Sequence, residues 1–185
     1  MQTLGLSDST TRSEGRLKSL FWPSIQNGAD VDYLGAQGYW VCTLIAIVSF
    51  IFSAATGTPV VGAVVFLFYY LSGVGVRERS RYAAAAVVFI YVSDMLASGP
   101  SVIRVFFGAL LLSNLRATWI ASGWKPDSEE GMLPPRLNQT WTDKFADQFP
   151  SWLWPKVRVP YYIFSACVIL LFGIGITVMI HRGGR

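Results

Sequence analysis

"PVVGAVVFLFYYLSGVGVRERSR", Pro59 to Arg81, decides the fold. No charged side chain occurs from Pro59 to Val76; Arg77, Glu78, Arg79 and Arg81 then crowd into a short basic turn. Counted from Thr58 to Val76, the apolar run reaches roughly 28 Å at about 1.5 Å per residue, enough to cross the hydrocarbon core of a bilayer. Thr56, Gly57 and Thr58 break the pattern before it, and Pro59 suits the first turn of a new helix, where its missing N–H costs no hydrogen bond. A segment of this length that ends in clustered arginines reads as a transmembrane helix with its C-terminus at the cytoplasmic headgroups.

Four more apolar stretches flank it, at 38–55, 82–97, 101–121 and 159–180. Ser98, Gly99, Pro100 and Ser101 supply the turn between the third and fourth. The composition agrees: 52% of the 185 residues are hydrophobic and only 14% charged, against roughly 25% charged in a soluble domain. Mean hydropathy is +0.43. The expected fold is an all-α integral membrane protein with about five transmembrane helices and a short cytoplasmic interfacial amphipathic helix. The expected organisation is a cytoplasmic N-terminal segment (1–37), a four-helix transmembrane region (38–121), a tryptophan-rich cytoplasmic loop (122–158), and a fifth helix with a short outer tail (159–185). The first 37 residues hold no apolar run of signal-peptide length, so the first span is expected to act as an uncleaved signal.

Orientation follows from Lys and Arg. Arg12, Arg16, Lys18, Arg77, Arg79, Arg81, Arg116, Lys125, Arg136, Lys144, Lys156 and Arg158 fall on one side; Arg182 and Arg185 fall on the other. Basic loops resist translocation, so the N-terminus is expected in the cytoplasm and the C-terminus outside, in a plasma (inner) membrane. The same bias accounts for the net charge of +4 without nucleic acid. Arg77, Arg79, Arg81 and Arg116 are expected to contact anionic lipid headgroups.

All seven tryptophans lie on the basic side. Trp22, Trp40, Trp119, Trp124, Trp141, Trp152 and Trp154, with Phe145 and Phe149, are expected to be interfacial anchors. Trp141, Phe145 and Phe149 recur every four residues up to Pro150, behind a Thr140–Asp143 pair that resembles a capping box. That spacing predicts the interfacial helix, ending at Pro150.

Two opposite charges interrupt the apolar pattern. Asp94 and Arg104 stand equally far before and after Gly99, which places them at one depth, roughly 6 Å below the turn in a tight hairpin. They read as an ion pair fixing hairpin register, as two side chains snorkelling outward, or as part of a polar pocket for a proton, ion or small anion. Tyr91, one turn from Asp94, and Asn114, about 80° around the helix from Arg104, are candidates for that pocket.

Catalytic patterns are weak. His181, the lone histidine, leaves no His-based metal cluster or triad elsewhere in the chain, and Cys42 and Cys167 lack a CxxC context. No cofactor or metal is expected. The sequence points to an accessory, scaffold or interaction subunit of a membrane assembly, partnered by the lipid bilayer and by another membrane protein or a second copy. The alternative is a small oligomeric transporter or channel using Asp94 and Arg104.

Overall fold

The computed structural model describes residues 21–25, 28–122 and 141–183. Among these residues the regular structure is all helical: α1 (Gly28–Ala55), α2 (Pro59–Arg77), α3 (Arg81–Ser98), α4 (Val102–Ala121) and α5 (Trp141–Gly183). All five are long and apolar enough to cross a membrane, as an integral membrane protein requires.

The turns follow from local chemistry. Gly57 (φ 79°) and Gly99 (φ 88°) sit in the left-handed region, which a side chain disfavours. Ser80 caps α3 by accepting from the Ala83 amide at 3.4 Å, and Ser101 caps α4 by accepting from the Arg104 amide at 3.3 Å. These short connections place the glycine turns at one end of the bundle and the Arg77–Arg81 turn at the other, the basic end.

Helices α1 to α4 close into a ring, α1 against α2 and α4, and α3 against α2 and α4; α5 lies chiefly against α2 and α3. The tightest packing occurs in the basic half. A Cβ on Gly73 would meet Cys42 Cβ at 2.8 Å, and one on Gly75 would meet Ala83 Cβ and the Trp154 ring at 2.5 Å, so only hydrogen fits there. Tyr39, Val74, Ala83, Trp154 and Tyr161 form a buried cluster at these contacts.

Two expectations about boundaries are corrected. Helix α1 begins at Gly28, ten positions before the expected span, because Val31 and Leu34 bury themselves against the bundle despite the polar residues between them. The expected interfacial helix is no separate element: residues from Trp141 onward form the first turns of the 43-residue α5, which runs through Pro150, Pro155 and Pro160. Proline removes a helical hydrogen bond and usually ends a helix, but packing can hold the axis through it. Here Phe149 packs on Tyr70, Trp154 on Gly75, and Tyr161 on Phe68, one contact near each proline.

Candidate functional site: a charged-rim cavity inside the bundle

In the half of the bundle nearest the glycine turns, α1 and α2 touch closely at Gly62, where a Cβ would meet Ser53 Cβ at 2.7 Å, but the other helices stand apart from them around a void. A cavity of about 720 Å³ opens there, lined by residues from all five helices. Its inner wall is buried and apolar or aromatic: Phe68 and Tyr69 from α2, Ile90 and Tyr91 from α3. Other lining residues are exposed on the outer surface of the bundle: Leu44, Val48, Phe52, Val64 and Ile103. Ser49 and Ser53, one turn apart on α1, add hydroxyls to that wall, and Val168 and Phe172 of α5 complete it. A volume between about 300 and 1,000 Å³, mostly apolar with a few polar groups, is typical of small-molecule sites.

Asp94 and Arg104 both line this cavity, as does Tyr91. They do not form an ion pair within 4.0 Å, whereas Asp32 pairs with both Arg77 and Arg79 at the basic end. Asp94 Oδ1 accepts from Ser98 Oγ at 3.3 Å, and Arg104 Nη1 donates to the Gly99 carbonyl at 3.1 Å. Each charge is therefore satisfied first by its own side of the hairpin. The carbonyl end of α3 attracts the guanidinium, as helix C-termini attract cations. Tyr91 Oη donates to the Arg104 carbonyl at 3.1 Å and braces α4 against α3.

Asn114 lies elsewhere. It is 2% exposed and packs where α4 meets α1, with its Oδ1 2.6 Å from where a Gly38 Cβ would stand. Its Nδ2 donates to the Leu110 carbonyl at 2.9 Å. Tyr91 thus lines the cavity beside Asp94 and Arg104, whereas ten residues of helix carry Asn114 away from Arg104 into the packed basic half.

The basic end also departs from expectation. Arg77 and Arg79 converge on Asp32: Arg77 Nη1 reaches Oδ1 at 3.3 Å and the Asp32 carbonyl at 3.0 Å, and Arg79 Nη2 reaches Oδ1 at 3.0 Å. The Arg77 side chain, 10% exposed, is an internal tie between α2 and α1 rather than a headgroup contact, because the early start of α1 brings Asp32 beside it. Arg81 is exposed. Arg116 Nη1 donates to the Pro23 carbonyl at 2.9 Å and its guanidinium lies 4.8 Å from the Trp22 ring centre, so it holds the 21–25 segment in place.

Among the expected aromatic anchors, Trp22, Trp40, Trp119, Phe145 and Trp152 expose their rings, and Phe149 is half-buried. Trp154 is a correction: at 8% exposure it is core, wedged against Gly75 and the Tyr161 and Tyr162 rings. Trp124 and the Trp141 side chain lie outside the described residues.

Sequence reasoning overlooked Ser49, Ser53, Phe68 and Tyr69. The serines left a signal, two small hydroxyls at helical spacing in an apolar span; the aromatics read as ordinary core. Among the described residues no three His, Cys, Asp or Glu side chains gather closely enough to hold a metal ion. No family model, curated protein or solved structure matches the chain.

Proposed function

We propose that this chain is an integral membrane protein that holds a small apolar or amphipathic molecule in its five-helix cavity, as a binding component or carrier. One observation carries the reading: every helix contributes to a cavity of about 720 Å³ whose rim holds Asp94 and Arg104. Tight packing in the basic half closes the floor, while the glycine-turn half is open, so ligand enters from that side or from the surrounding lipid. The basic end faces the cytoplasm and the C-terminus lies outside, as the distribution of Lys and Arg supports.

The test is binding of a fluorescent fatty-acid probe to the purified chain in a non-ionic detergent. Saturable binding near one probe per chain is expected, lost when Ser49→Phe fills the cavity. Binding that scales with detergent micelles alone and ignores Ser49→Phe removes the reading.

A second reading, an interaction subunit, draws on a different observation. The apolar segment of α5 is the least buried of the five, and Val159, Ile163, Leu170, Leu171 and Ile174 are exposed along it. Mass determination after extraction in several mild detergents checks it; a monomer with no co-purifying protein counts against it.

A further inference from the structure

The charges on the cavity rim say more about the occupant than the cavity does. Asp94 lies four residues before the end of α3 and Arg104 two residues after the start of α4. At about 1.5 Å per residue both stand within about 6 Å of the helix ends, toward the end of their spans rather than at the centre. Below them the lining is apolar, through Val65, Ile90, Phe107 and Phe68. The site therefore has charged groups near the helix ends and apolar lining deeper in the spans.

The rim is bipolar. An ionised carboxylate accepts through two oxygens, and a guanidinium carries five N–H donors. Asp94 uses Oδ1 for Ser98, and Arg104 uses one Nη1 donor for Gly99. Among the described residues neither has an ion-pair partner within 4.0 Å. Asp94 is exposed and Arg104 half-buried, so each keeps hydrogen-bonding capacity beyond its own turn, and a ligand with one charge of each sign can engage both.

We propose that the cavity takes a zwitterionic phospholipid of the surrounding bilayer, with its primary ammonium at Asp94, its phosphate at Arg104 and an acyl chain in the apolar interior. This rests on the cavity reading above. Arg104 suits the phosphate because its planar fork donates several hydrogen bonds to one anion. Asp94 suits a primary ammonium because that group brings N–H donors, which a quaternary ammonium lacks. The apolar lining favours a bilayer lipid over a soluble zwitterion: a headgroup alone would leave that wall without an occupant.

The experiment uses the full chain, delipidated in detergent and titrated with dioleoyl lipids, bound lipid being counted by native mass spectrometry. Phosphatidylethanolamine is expected to bind about tenfold more tightly than phosphatidylglycerol, since each charge-assisted contact is worth about one decade in affinity. Phosphatidylcholine should fall between them. Asp94→Asn should abolish the preference for ethanolamine over glycerol, and Arg104→Gln should weaken both lipids. Ser49→Phe, and Ser53→Trp as a second filler should the first fail to fold by its melting curve, should remove both.

Equal binding of the two lipids by the wild-type chain, or a preference untouched by Asp94→Asn, overturns the headgroup assignment while the effect of the fillers leaves the cavity reading standing. Lipid binding that survives in both folded fillers overturns the cavity reading itself. Displacement of bound lipid by millimolar soluble phosphoethanolamine, which has the charges and no chain, would assign the rim to a soluble zwitterion and overturn the bilayer source.

Discussion

The Tyr161 hydroxyl lies 2.8 Å from Ser72 Oγ and joins α5 to α2 across 89 positions of sequence, inside the buried core. Ser72 Oγ also donates to the Phe68 carbonyl at 2.6 Å, so the Tyr161 proton completes a short chain of hydrogen bonds. Tyr161→Phe keeps the ring and removes that proton. The expected loss is about 0.6 kcal/mol and no more than about 2, the range for hydrogen bonds between membrane helices, read as a lower melting temperature in detergent. An unchanged melting temperature would mean that Ser72 is satisfied without Tyr161.

Gly75 gives a larger effect. A Cβ there meets Ala83 Cβ and the Trp154 ring at 2.5 Å, and neither a helix-anchored methyl nor a wedged indole can swing away. Gly75→Val should destabilise by about 1–3 kcal/mol or more through overpacking. Gly173→Val, at a glycine with nothing within 4 Å, is the control expected to melt like wild type.

At the basic end, Asp32→Ala removes the carboxylate shared by Arg77 and Arg79. Arg77 is the more enclosed of the two and suffers more. A loss of about 1–3 kcal/mol is expected, below the cost of breaking a fully buried pair because the Asp32 side chain is 35% exposed. Arg77→Ala should lose more than Arg79→Ala; equal losses would place the tie at the surface.

Asp94→Asn and Arg104→Gln are each expected to change stability by less than about 1 kcal/mol, because each side chain is held by its own turn and partly solvated. Their effects should add to within about 0.5 kcal/mol. Strong recovery in the double variant would show that the two charges meet.

Orientation is checked by cysteine accessibility after Cys42 and Cys167 are replaced. Ser128→Cys should react from the cytoplasmic side and Gly184→Cys from outside. Labelling of both from one side would reverse the assignment of α5.

Five apolar helices were legible in the sequence because span length, glycine–proline turns and clustered arginines are local properties. The hairpin charges were legible too, since a carboxylate and a guanidinium in an apolar run stand out against their neighbours. Partnership was not: equal distance from Gly99 suggested that Asp94 faces Arg104, but the serine and carbonyl groups of the turn lie nearer to each charge and intercept it. Nor were the ends of α1 and α5 legible. Polar residues around Asp32 and three prolines after Gln148 argue locally against helix, and contacts with Arg77, Gly75 and Ser72 from distant positions outweigh them.

The sequence by itself determined the number of helices, the pairing of short turns at one end and the concentration of positive charge at the other. Tertiary structure alone decided that Trp154 is core, that Arg77 is an internal tie, that Asn114 stands apart from Tyr91, and that all five helices leave a cavity beneath Asp94 and Arg104. The reason is physical. Hydropathy is a property of each segment, whereas a cavity is set by which side chains fail to fill the space between segments, and no single segment carries that information.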